Sequence, residues 1–241
     1  MARIAPKKKA SLLRQRLIFF CVAVVMFGLA PARAVDTPPA ESTLVYTIER
    51  KGDTIGEHRV EYALRPDGER DIEISAKIRV KFAFLTVYRL DHVGHELWQD
   101  GHLLRMTTNT LKNNERDQVL LRVVDGHYVV ETEDGERTAP LDLVPSSFTK
   151  PGFWIDGGEK PFLMFNTLTG EIRESRLEFS GRERLTLDGQ AFDTRHYTIL
   201  NLEKNALSHE VWVDDAGYLV RAHLVTKDGH SLYYTKSELR G

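Results

Sequence analysis

Nine histidines and a single cysteine are the side chains of this 241-residue chain with the widest chemical range, and their spacing limits what they can do. His95-Glu96 and His209-Glu210 each begin like a helical zinc motif, in which a second histidine four residues on shares the ion. The fourth position is Gln99 after His95 and Val213 after His209, so neither pair is completed. Both fall in segments that read as strands, where residues four apart lie roughly 13 Å apart and cannot share an ion. His92 and His95 differ by an odd number and point to opposite faces of a strand. A site assembled from strands distant in sequence, such as His58 with His95 or His209, is the arrangement left open. No metal or other cofactor is expected.

Other chemistries have less to stand on. The chain contains no G-x-S-x-G elbow, no phosphate-cradling glycine loop and no dinucleotide fingerprint. Carboxylates are abundant, but a glycosidase needs two that face each other across a bond, and sequence alone does not pair them. Asp214-Asp215 lacks the spaced oxygen ligands of a calcium loop and reads as turn acid. An enzyme would need a dispersed site, and no catalytic residue is assigned.

The N-terminus sets the compartment. Arg3, Lys7, Lys8, Lys9, Arg14 and Arg16 precede an apolar run from Leu17 to Ala30, followed by Pro31 and Ala32-Arg33-Ala34. A basic stretch, a short apolar core and a small-x-small site form a cleavable secretory signal, here residues 1–34. The run is shorter than the roughly 20 apolar residues of a membrane-spanning helix. Cys21 lies inside it, away from the cut, so no lipid anchor is expected and the processed chain carries no thiol. The implied location is the periplasm, and the processed chain is not expected to be an integral membrane protein. Residues 35–241 hold 26 Arg and Lys against 35 Asp and Glu. That acidity, without basic clusters, argues against a nucleic-acid partner.

The elements after the leader are strands. Residues 35–42, with Pro38-Pro39, read as a disordered lead-in to one β domain, 43–241. Asp-Gly pairs recur at 67–68, 100–101, 125–126, 134–135, 188–189 and 228–229. Such a pair between alternating segments is the strongest short-range hairpin signal, because a type I′ turn needs positive φ at both central residues. Between the turns, Ile72, Ile74, Ala76, Ile78, Val80 and Phe82 share one parity, while Asp71, Glu73, Ser75, Lys77, Arg79 and Lys81 share the other. A strand sorts these onto two faces and a helix would mix them. The pattern predicts an all-β fold: an antiparallel, strongly curved sheet or half-barrel of about a dozen strands.

One stretch departs from it. Residues 144–170 hold Pro145, Pro151 and Pro161 together with Phe148, Phe153, Trp154, Phe162 and Phe165. So long and apolar a connection is not an ordinary surface loop. It is expected to plug the open end of the sheet, with one short helix, and to join two pseudo-repeat halves, 43–143 and 171–241. The repeat rests on His95-Glu96-Leu97-Trp98 with Arg105 and His209-Glu210-Val211-Trp212 with Arg221. Simple turns at 100–101 and 214–217 would set Trp98 opposite Leu103, Glu96 opposite Arg105, Trp212 opposite Leu219 and Glu210 opposite Arg221.

The strand Tyr46-Thr47-Ile48, the run Ile55-Gly56-Glu57-His58, Tyr88, the His95–Gly101 hairpin and Trp212-Val213-Asp214 through Gly217 resemble an uncharacterised exported family of Gram-negative bacteria. More distantly, the Trp-x-Asp-x-x-Gly hairpin is similar to those of the lipoprotein-carrier superfamily, half-open barrels that hold acyl chains on a concave face. The chain departs from that pattern in lacking the long N-terminal helix and its arginine. The resemblance and the apolar face together imply a non-catalytic module for an apolar small molecule or lipid. Phe82, Phe148, Phe153, Trp154, Phe162 and Phe165 are its expected contacts. The alternatives are a structural or partner-binding envelope protein with a filled core, and an enzyme with a dispersed site.

Overall fold

The computed structural model describes residues 41–226 and 229–240. The expected leader, 1–34, and residues 35–40 of the expected lead-in lie outside the described residues; Glu41 and Ser42 belong to the first strand. Fifteen strands follow in chain order. They are β1 (Glu41–Arg50), β2 (Asp53–Leu64), β3 (Arg70–Phe82), β4 (Leu85–Gln99), β5 (His102–Lys112), β6 (Glu115–Val124), β7 (His127–Thr132) and β8 (Gly135–Ala139). After these come β9 (Val144–Pro145), β10 (Glu159–Phe165), β11 (Ile172–Leu187), β12 (Gln190–Asn201), β13 (Ala206–Val213), β14 (Leu219–Val225) and β15 (Ser231–Arg240).

The turns form as their residues dictate. Asp100-Gly101, Asp125-Gly126 and Asp188-Gly189 all have positive φ at both positions, the geometry that keeps a two-residue hairpin in step with the strand twist. All fifteen strands share one sheet, in the order β8-β7-β6-β5-β4-β3-β2-β1-β15-β14-β13-β12-β11-β10-β9. Nearly every strand thus pairs with its neighbours in sequence, and β1 with β15 joins the two ends of the chain into a continuous wall. The wall does not close: β8 and β9 stand at opposite ends of the order. The alternating rows predicted for β3 are seen, with Ile72, Ile74, Ala76 and Ile78 buried on the inner face.

Three expectations need correction. The described residues form fifteen strands rather than about a dozen, because short pieces such as β8 and β9 carry too few residues to show a period. The sheet is not wholly antiparallel: β9 runs parallel to β10 through Val144–Met164 and Pro145–Phe165. A parallel pair needs a crossover of about a dozen residues or more, which 146–158 supplies. And no helix forms in 144–170; its prolines and the Gly157-Gly158 pair, both at positive φ, deny a helix the hydrogen bonds and dihedrals it needs. Pro161 is tolerated because it stands on the part of β10 that β9 does not cover.

The crossing segment binds both wings of the sheet. Phe165 packs with Tyr46, Ile72, Trp98 and Leu121 in one apolar cluster. Val144, Phe153, Phe162 and Met164 pack with Leu177, Tyr197, Ile199 and Val211 in another. Polar ties accompany them: Thr108 Oγ1 donates to the Thr167 carbonyl at 2.7 Å, and Tyr197 Oη to the Ile155 carbonyl. Among the described residues no helix is long and apolar enough to cross a membrane.

Candidate functional site

On the inner face a cavity of about 300 Å³ lies between the two wings and the crossing segment. β3 and β4 supply Ile74, Ala76, Ile78 and Leu90, and β14 and β15 supply Ala222, Leu224, Leu232 and Tyr234. The segment closes it with Phe148, Met164 and Leu168. Antiparallel alternation is what puts every second residue of four strands on this one concave surface.

Three histidines from three strands join that lining: His58 on β2, His92 on β4 and His209 on β13. Each is held at a pKa of about 4 by burial, with the neighbouring His92 adding to the effect at His58 and Arg173 at His209. Desolvation penalises the charged ring, so all three are neutral at physiological pH. His92 Nδ1 lies 2.9 Å from Thr110 Oγ1, and His58 packs between Tyr46 and Tyr234 with centroids 5.7 and 5.8 Å away. Phe148 stands edge-on to His209 at 5.4 Å, from a backbone with φ of 58°, a region a bulky side chain seldom occupies. Tyr234 is pushed up to about 12 by burial first and by Tyr88 second. Among the described residues of the lining the one formal charge is Arg173, whose guanidinium donates to Glu171. Such a chamber suits an apolar guest with at most a small polar head.

Of the histidines considered for a site built across distant strands, His58 and His209 both line this cavity, while His95 faces outward onto Asp71. Among the described residues no three His, Cys, Asp or Glu side chains come together in a way that could hold a metal ion. Of the six expected ligand contacts, Phe148 lies on the cavity wall. Phe153, Phe162 and Phe165 are buried in the clusters that anchor the crossing segment, with Trp154 half-buried against Phe153 and Tyr197. Phe82 is exposed at the end of β3.

The two tryptophan hairpins differ in register. Trp98 does pair with Leu103, but a bulge between Leu97 and Trp98 sets Glu96 opposite Met106, not Arg105. A bulge between Trp212 and Val213 sets Trp212 opposite Arg221 and Glu210 opposite His223. One extra residue in a strand moves every partner beyond it by one, which is why turn length alone did not predict the pairs. Trp98 is buried within the inner cluster, whereas Trp212 stacks on His196 at 4.3 Å outside the row formed by Val211 and Val213. Glu96 has a role that sequence reasoning missed. Its buried carboxylate accepts from Trp98 Nε1 at 2.8 Å and Ser147 Oγ at 2.7 Å, and also from Thr149 Oγ1. Burial pushes this carboxyl up, and the three donors offset part of that. It ties the start of the crossing segment to β4.

No functionally curated protein is a recognisable relative of this chain. In fold it is similar to the crystal structure of a β-barrel-like protein of domain of unknown function DUF1849 from Brucella abortus. That likeness has a TM-score of 0.61 at 10% identity and covers 83% of this chain and 97% of that one. A DUF1089 family protein from Pseudomonas aeruginosa is similar at a TM-score of 0.40 and 18% identity, over 66% of this chain and 86% of the other. The hypothetical lipoprotein YmcC from Escherichia coli K12 is similar at 0.32 and 12%, over 85% and 86%. The family profile described as Domain of unknown function (DUF6134) matches residues 46–237, from the middle of β1 to the last strand and across every wall of the cavity, and the chain belongs to that family.

Proposed function

We propose that this chain is an exported, non-catalytic binding protein that holds an apolar ligand, a lipid acyl chain, in the cavity behind the crossing segment. The observation that carries this reading is the cavity itself. It is a largely apolar, partly open cavity of about 300 Å³, with Ser146, Ser147, Asn166 and Thr167 among its polar groups and three histidines kept uncharged by burial. That volume lies at the lower end of the roughly 300–1,000 Å³ of small-molecule pockets, which combine an apolar lining with a few polar groups that orient the ligand. Phe148, Ile78, Leu90 and Leu224 would contact the chain of the ligand, and Arg173 its polar end. Phe153, Phe162 and Phe165 hold the lid from behind, and the resemblance to acyl-chain carriers points the same way.

The leader argues for the periplasm, with cleavage after Ala34, so the exported protein should begin at Val35. Native mass spectrometry of protein taken from the periplasmic fraction should show an added mass of lipid size, and an apolar fluorescent probe should compete with it. A single unliganded mass together with no probe binding would sink the proposal and leave a structural or partner-binding envelope protein.

A further inference from the structure

The outside of the molecule carries a second feature that the cavity does not explain. β2 accompanies β3 only as far as Gly56 opposite Ile78, and β5 accompanies β4 only from Lys112 opposite Leu90. Beyond those points, residues 80–88 have strand partners only in each other, as a two-stranded ribbon overhanging the sheet. Its end is apolar and faces water: Phe82 is 75% exposed, Leu85 70%, Val87 55%, and Phe84 is fully exposed. A lone ribbon is marginal in water, and soluble monomers rarely leave contiguous large side chains uncovered unless something covers them in use.

The surroundings identify the cover. Residues 50–53, 79–91 and 112–116 carry seven Arg and Lys against three Asp and Glu, in a chain that from residue 35 onward has 26 against 35. These stretches adjoin. Asn113 bonds the Arg89 backbone in both directions at 3.0 and 2.8 Å, and a cleft between ribbon and β1–β2 turn is lined by Arg50, Lys51, Val80 and Phe82. An apolar tip with basic residues around the base of its ribbon, on an otherwise acidic protein, matches an anionic bilayer, acyl chains within and phosphates at the rim. The inner row of β3 runs from the cavity at Ile74, Ala76 and Ile78 through Val80 to Phe82, so the tip and the cavity share one apolar track.

We propose that the β3–β4 hairpin is a membrane-docking element, with Phe82, Phe84 and Leu85 entering the acyl region while Lys51, Lys81 and Lys112 meet headgroup phosphates. This goes beyond the cavity reading and does not depend on it. Purified protein should float with vesicles of phosphatidylcholine and phosphatidylglycerol, less with phosphatidylcholine alone, and less as salt rises. Phe84→Ser with Leu85→Ser should lower the bound fraction at least tenfold with an unchanged far-ultraviolet spectrum and unchanged binding of a cavity probe. Lys51→Glu with Lys81→Glu and Lys112→Glu should remove the preference for anionic vesicles. As an independent readout, a Phe84→Trp protein should show a blue-shifted emission on adding vesicles. Wild-type protein that stays unbound with both vesicle types would overturn the proposal, as would a double variant that binds as wild type does. A wild-type dimer that the double variant dissociates, with no vesicle binding, would overturn it too and make the tip a contact between copies. Loss of probe binding in a wild type that still floats would count against the cavity reading alone.

Discussion

Glu96 shows how much one side chain can hold at the residue scale. Three donors from two separate parts of the chain converge on its buried carboxylate. Removing it leaves Trp98 Nε1 without its acceptor and Ser147 and Thr149 with only their bond to each other, and an orphaned buried donor costs about 1–3 kcal/mol. Glu96→Ala should therefore lower unfolding free energy by about 2–4 kcal/mol in urea titrations. Glu96→Gln, which keeps an acceptor, should cost less; equal losses in the two variants would refute the hydrogen-bond account. The histidines give a pH dependence. His58, His92 and His209 sit near 4 in the folded protein against an ordinary value of 6.5. The unfolded chain takes up these protons first, so stability is full above about pH 6.5 and is lost as pH falls towards 4. Each histidine contributes up to about 1.4 kcal/mol per pH unit in that window. Denaturant titrations from pH 7 to pH 4 should show the slope, and His209→Phe should reduce it; a flat profile above pH 4.5 would rule the effect out.

At the scale of elements, Gly56 marks the point where the β1–β2 and β3–β4 ribbons diverge. A Cβ on Gly56 would lie 2.2 Å from the Lys77 carbonyl oxygen, closer than any real contact. The oxygen belongs to the backbone of the paired strand and can yield only if β2 and β3 separate. Gly56→Ala should cost roughly 1–3 kcal/mol, the range for overpacking. Gly94→Ala is the comparison: its nearest neighbour would be Thr108 Cγ2 at 3.4 Å, ordinary contact, and the loss should stay under about 1 kcal/mol. Similar losses at both sites by urea unfolding would show that β propensity, and not the close approach, sets the effect.

For the molecule as a whole, the decisive quantity is empty space between the wings. Ala76 and Ala222 face it from β3 and β14. Ala76→Phe should fill much of the cavity, reducing affinity for an apolar probe at least tenfold while the far-ultraviolet spectrum is retained. The change in stability should be small, since a ring placed in a void displaces no packed atom. Undiminished probe binding would move the ligand site elsewhere on the molecule.

The sequence by itself determined the long alternating strands and the Asp-Gly turns between them, because what specifies these is local. Alternation along Ile72–Phe82 and the Asp-Gly turns depend on neighbours a few residues away, and sterics act over that range. It also pointed to 144–170 as something other than a surface loop. Only the tertiary structure decided what meets what. His58, His92 and His209 lie on three strands, and the curvature of a fifteen-stranded sheet turns them toward one cavity. Glu96 was legible as one of a strand's charged residues, but two of its three donors, Ser147 and Thr149, come from the crossing segment about 50 residues away. Phe82 follows the same parity as buried Ile78, yet its strand outruns its neighbours and leaves it in water. Register beyond a bulge, closure of a wall and the length of an overhang depend on pairing between distant residues, which no local period encodes.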